Sequence, residues 1–147
     1  MQIAVEPLPL EELQVFLREQ AEDAFPVLKD EQRLATLSEK WHSYAEFCTC
    51  RNAEGRLVGM IAFYANQPES GVVYIPHVYV RGAYRGQNLM SYMLDAIKEY
   101  VKRKGFMYMR LEVHKDNERA QRAYIHYGFT ISSDASEKSV FMQYKIS

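Results

Sequence analysis

The sequence predicts a mixed α/β domain on a central twisted mixed β-sheet of about six to seven strands, with about four helices. Two observations predict it. Residues 10–24 and 88–104 carry apolar side chains at helical spacing, whereas from residue 45 several short runs read as strands. Residues 77–129 then read as strand, Arg/Gly turn, long amphipathic helix, strand and helix, which is a crossover unit.

The elements follow in order. Gln2–Val5 forms a short first strand, and Pro9 opens a helix in which Leu10, Leu13, Phe16 and Leu17 share one stripe. Pro26 interrupts that segment. A second helix covers 31–41, with Leu34, Leu37 and Trp41 as its apolar side. Strands 47–51 and Leu57–Tyr64 flank Asn52-Ala-Glu-Gly55, which is good hairpin chemistry. A turn at 67–71 leads into Val72–Val80, and these three strands run antiparallel. The long helix covers about 88–104 and a strand follows at 107–113; the next helix opens at Asn117 and stops at Gly128. Strands 130–132 and 140–146 close the sheet around the polar loop 133–138.

At 147 residues the chain reads as a single domain over 1–147, long enough to bury a core. With 48% hydrophobic and 25% charged residues it has the composition of a soluble globular protein. A formal net charge of −1 lacks the electrostatic footprint of a nucleic-acid binder. No apolar run approaches the roughly 18 residues that cross a bilayer, and the amino terminus lacks a secretory pattern. A cytoplasmic location is therefore expected, with no membrane partner. Cys48 and Cys50 stand one residue apart, a spacing that suits neither a metal knuckle nor a redox pair, so they read as packing cysteines. No metal site is expected.

A strand running into a helix through a glycine-containing turn aims unpaired backbone N–H groups at one place, which attracts phosphate. Arg85 would serve there as a fixed cation, with the amides of Gly86, Gln87, Asn88, Leu89 and Met90 as the cradle. An ordinary strand-to-helix connection has the same outline. Arg81 reads equally well as a solvated turn residue.

The stretch Val80-Arg-Gly-Ala-Tyr-Arg85-Gly86-Gln87-Asn88-Leu89-Met90 resembles the acetyl-CoA signature of the GNAT superfamily of N-acetyltransferases. Asn117-Glu-Arg-Ala120-Gln-Arg-Ala-Tyr124-Ile-His-Tyr-Gly128-Phe129 resembles that family's second motif, N-x-x-A-x-x-x-Y-x-x-x-G-F. The resemblance covers roughly residue 56 to the end. It departs at Asn88 and Met90, which occupy the two positions that the family gives to small residues. Asparagine accepts the left-handed backbone that glycine supplies. Met90 brings a thioether to the phosphate arch unless it turns inward with Leu94, Ile97 and Val101, whose helical stripe it shares.

The resemblance implies acetyl-CoA as co-substrate and direct attack by an amine, with no acyl-enzyme. It makes Tyr124 the acid that protonates or hydrogen-bonds the leaving thiolate. The stripe Ala120, Ala123, Tyr124 and Tyr127 also fits plain core. It places at His77 the group that takes the amine's proton, commonly through water. A histidine hydrogen-bonded within a strand fits the same position. Backbone N–H groups of Val78 and Val80 would hold the pantetheine arm, and Tyr79, on the strand face of His77, would line the groove. Asn117 stands where a helix N-cap belongs, and the resemblance adds a contact with the cofactor arm. Glu46, Glu69 and Glu112 are substitutes for His77 that no spacing promotes. His114, Lys115 and His126 read as surface, and the Lys102-Arg103-Lys104 run offsets a helix dipole.

The expected function is acetyl transfer from acetyl-CoA to a primary amine of a small molecule, a metabolite amine or an amino sugar. A degenerate CoA-binding module and a protein-interaction domain are the rivals. A homodimer is left open.

Overall fold

A computed structural model describes residues 1–146. Seven strands form one sheet in the order β1-β2-β3-β4-β5-β7-β6, and four α-helices accompany it, as the mixed α/β expectation requires. The strands are β1 (Gln2–Val5), β2 (Glu46–Arg51), β3 (Leu57–Tyr64), β4 (Val72–Val80), β5 (Tyr108–His114), β6 (Thr130–Asp134) and β7 (Ser139–Lys145). The helices are α1 (Leu10–Ala21), α2 (Glu31–Tyr44), α3 (Leu89–Lys102) and α4 (Glu118–Tyr127). The chain packs as two compact units, Met1–Phe63 with His77–Ile97, and Tyr64–Pro76 with the chain from Lys98 onward. Among the described residues no helix is long and apolar enough to cross a membrane.

In the first unit β1, β2 and β3 are antiparallel neighbours. Every residue of β3 from Leu57 to Phe63 is buried, as suits a strand covered on both faces. Helix α1 buries Leu13, Phe16, Leu17, Gln20 and Ala21, so its apolar stripe includes one amide side chain. Helix α2 begins where the Asp30 carboxylate accepts from the amides of Gln32 and Arg33 at 3.0 and 3.3 Å. It runs on past Trp41 to Tyr44, through residues whose exposure left no periodic signal. Helix α3 lies close on the sheet. A Cβ at Gly59 would come within 3.1 Å of the Met93 side chain, and the Cys48 thiol contacts the Met93 carbonyl oxygen at 3.6 Å. Both cysteines are free and buried, and burial pushes the Cys48 thiol up to about 12.

In the second unit the first half of β4 pairs in parallel with β5, and β5 and β6 each pair antiparallel with β7. Helix α4 is capped by the Asn117 side chain, which accepts from the Ala120 amide at 3.1 Å. It ends at Gly128, whose φ of 128° and a Tyr144 ring atom only 2.9 Å from any added Cβ both require glycine. Strand β6 extends to Asp134, beyond the expected limit of 132; all five of its residues are exposed, so no alternation marked its length.

Candidate active site

The end of β4 and the start of α3 carry most of the expected residues, all in the first unit. Burial alternates along β4, so His77 and Tyr79 share the buried face while Val78 and Val80 are half-buried on the other. After β4 the chain makes a short 3-10 turn at Gly82–Tyr84 and then two left-handed residues, Gly86 (φ 83°) and Asn88 (φ 59°). Asparagine thus supplies the left-handed backbone at the position the family gives to a small residue. The first bond of α3 runs from the Tyr92 N–H to the Asn88 carbonyl at 3.1 Å. The amides of residues 86–91 find no backbone acceptor among the described residues. Gly86, Gln87 and Asn88 are exposed, so this is a row of donors at a helix N-terminus, open to an anion.

Met90 does not join the buried stripe. That stripe is Leu89, Met93, Leu94, Ile97 and Val101, and Met90 is half-buried beside it. Arg85 does stand at the turn. Its Nε donates to the Val80 carbonyl at 2.9 Å, and its guanidinium pairs with Asp23 and lies 5.5 Å from the Tyr79 ring centroid. Arg81 is not the solvated residue that one reading allowed. Its Nε donates to the Leu57 carbonyl at 2.8 Å, its Nη1 pairs with Glu19, and it sits over the Phe16 ring.

His77 is buried in a box that the sequence did not disclose. The rings of Phe25 and Trp41 lie 4.6 and 4.9 Å from the imidazole, and Nε2 is 2.6 Å from Oε1 of Gln20. Desolvation pushes the imidazole down to about 4, so it is neutral at neutral pH. Next along this face, the Tyr79 hydroxyl donates to Asp23 at 2.6 Å, and burial followed by that bond pushes the phenol up to about 12. The Tyr79 hydroxyl, then Arg85, hold the Asp23 carboxyl below its ordinary value. Gln20, Asp23, Phe25 and Trp41 are the residues that sequence reasoning missed as neighbours of this site. Gln20 alone left a signal, as a polar side chain on an apolar stripe.

The second motif lies in the other unit. Asn117 is the N-cap of α4, and Tyr124 is the buried residue of that helix. Ala120 and Tyr127 are half-buried and Ala123 is exposed, so the four do not make a core stripe. The Tyr124 ring meets Phe129 edge-on at 5.6 Å, and burial raises its phenol well above the ordinary value. His114, Lys115 and His126 are exposed. Among the described residues no group of His, Cys, Asp or Glu is placed to hold a metal ion.

Residues 13–129 match the model of the acetyltransferase (GNAT) family, a span that includes parts of both units. No curated protein matches the chain. Among solved structures it is similar to the PaiA N-acetyltransferase of Thermoplasma acidophilum in complex with coenzyme A, at 19% identity over 99% of both chains with a TM-score of 0.74. It is also similar to a spermidine N-acetyltransferase SpeG chimera from Vibrio cholerae and hSSAT, at 12% identity over 99% and 96%, TM-score 0.76. Nourseothricin acetyltransferase matches 70% of this chain at 19% identity with a TM-score of 0.63, and the chain spans 66% of that protein's length. At these identities the likeness to solved structures is one of fold.

Proposed function

The chain belongs to the acetyltransferase (GNAT) family, acetyl-CoA-dependent acyltransferases, and on that footing we propose that it acetylates a primary amine of a small molecule by direct attack. The observation that carries this reading is the row of unbonded amides from Gly86 to Ser91, entered through left-handed Gly86 and Asn88 and flanked by Arg85. Those donors suit a diphosphate, as does the positive end of the α3 dipole. Val78, Tyr79 and Val80 on β4 and Asn117 ahead of α4 are our further candidates for holding acetyl-CoA. We take 1–147 as one GNAT-like domain.

Bound acetyl-CoA supplies an acetyl thioester. The amine nitrogen bonds to its carbonyl carbon, the carbon–sulfur bond breaks, and the proton lost by nitrogen balances the one gained by sulfur. His77 is neutral at working pH and offers a lone pair for the amine's proton. Tyr124 faces the departing thiolate in our reading. Its phenol is raised far above an ordinary thiol near 8.5, so it donates a hydrogen bond to sulfur rather than surrendering its proton, and the thiolate takes its proton from water.

The acceptor belongs to the class of metabolite amines or amino sugars. A spermidine enzyme is among the structural neighbours, but the acidic side chains at the end of α1 are already matched here. Glu19 pairs with Arg81, Glu22 with Lys29 and Asp23 with Arg85, which leaves no acidic excess to favour a polycation. Thiol release from acetyl-CoA over a panel of small amines tests the reading, with mass spectrometry of the purified protein for retained coenzyme A. Coenzyme binding with no transfer to any acceptor would make the chain a degenerate CoA-binding module. No thermal shift with coenzyme A would leave an interaction domain; a ligand at 100 times its Kd should add about 2.7 kcal/mol.

A further inference from the structure

We propose that Gln20 is a positioning residue: its side-chain oxygen holds the proton of His77 on Nε2 and so makes the Nδ1 lone pair the one that receives the amine's proton. This rests on the reading of His77 as the base. Gln20 is fully buried on the apolar stripe of α1, and its Oε1 is 2.6 Å from His77 Nε2. The rings of Phe25 and Trp41, packed on the imidazole, offer it no hydrogen-bond acceptor. Gln20 therefore selects the tautomer.

Stability does not explain this glutamine. Its Nε2 is buried with no hydrogen-bond partner among the described residues, so half of the amide's capacity is unmet. A methionine of similar shape would carry no such burden. What the amide contributes appears on proton transfer. The proton passes from the amine nitrogen to Nδ1, the N–H electron pair stays on nitrogen for the new amide, and Nδ1 later releases the proton to water. The Nε2 proton does not move. While the ring is charged its bond to Gln20 becomes charge-assisted, and the two aromatic rings face a cation, both of which favour the imidazolium.

Burial, and no neighbouring charge, is what shifts the imidazole; on β4 its face-mate Tyr79 is tied to Asp23. Desolvation alone lowers the imidazole, so a new charge at position 20 would dominate its titration.

Long-range proton–nitrogen NMR on the full chain reads the tautomer, and steady-state kinetics against pH read its consequence. We expect the Nε2–H tautomer in the unmodified protein. Gln20→Met should mix the tautomers and lower kcat by about tenfold or more, with an unchanged KM for acetyl-CoA and a melting temperature that does not fall. Gln20→Glu should keep the Nε2–H tautomer, recover turnover and move the acidic limb of the rate profile to higher pH. An Nδ1–H tautomer in the unmodified protein would overturn the proposal. So would Gln20→Met with unaltered tautomer and kcat, or with a loss of activity that tracks a loss of fold. Full turnover in His77→Gln would remove the base itself and the proposal with it, a failure told apart because Gln20 would still control the tautomer.

Discussion

The Tyr79 hydroxyl donates to Asp23 at 2.6 Å, and the Arg85 guanidinium pairs with the same carboxylate oxygen. The arginine read as a phosphate ligand is therefore already holding an anion. A diphosphate at the head of α3 has to compete with Asp23 for that cation or share it. The pair is partly exposed, so its hold is modest. Asp23→Asn should tighten coenzyme A binding severalfold, read by titration calorimetry. Weaker binding in that variant would mean that Asp23 aims Arg85 at the phosphates instead of competing with them.

Asn88 tests the turn itself. At φ 59° it holds a backbone that costs an ordinary L-residue about 1–2 kcal/mol. Asn88→Gly should keep both stability and coenzyme affinity. Asn88→Val should lose about 1–2 kcal/mol in denaturant melts and bind coenzyme A more weakly, because strain at this residue disturbs the adjacent amides. Equal affinities for the glycine and valine variants would show that the cradle does not depend on this conformation.

What could be read from the sequence was what leaves a local period or a turn residue. Helix α3 and strands β3 and β4 are long and patterned, and Gly86 and Asn88 mark the left-handed turn by residue type alone. The end of α2 and the length of β6 were not legible, because both lie among exposed residues that owe nothing to alternation. The turn and α4 showed their motifs, but the walls around His77 did not. Phe25, Trp41 and Gln20 reach that imidazole from 36 to 57 residues away along the chain, and only tertiary packing chooses such neighbours. Gln20, a polar residue on an apolar stripe, was the one available hint of a buried polar partner, and the sequence reading passed over it.

Tyr124→Phe separates a hydrogen bond to the leaving sulfur from packing. Removing one hydroxyl leaves the ring against Phe129, so the fold should be unaffected. If the phenol stabilises sulfur only as the thiolate departs, kcat falls by about tenfold or more while the KM for acetyl-CoA barely moves. The raised phenol also means that Tyr124 stays protonated through the usual assay range and imposes no alkaline limb below its ordinary value of 10. Unchanged turnover would return Tyr124 to the packing of α4.

His77 makes a prediction about stability that does not depend on catalysis. Its folded imidazole is pushed from 6.5 down to about 4 by burial. Between those values the unfolded chain binds a proton that the folded chain does not, so acid favours unfolding. The stability is fully present above pH 6.5, falls as pH drops, and levels off below about 4, where both states are protonated. Each unit of pH in that window is worth about 1.4 kcal/mol, so the total approaches about 3 kcal/mol. Carboxylates titrate in the lower part of the same window, so the quantity to measure is the difference between the parent and His77→Gln in denaturant melts from pH 4 to 7. That difference should shrink steadily toward acid, since the glutamine has no proton to gain. A difference independent of pH would mean that the imidazole is solvated in the folded chain, and that the box of Phe25, Trp41 and Gln20 does not close on it.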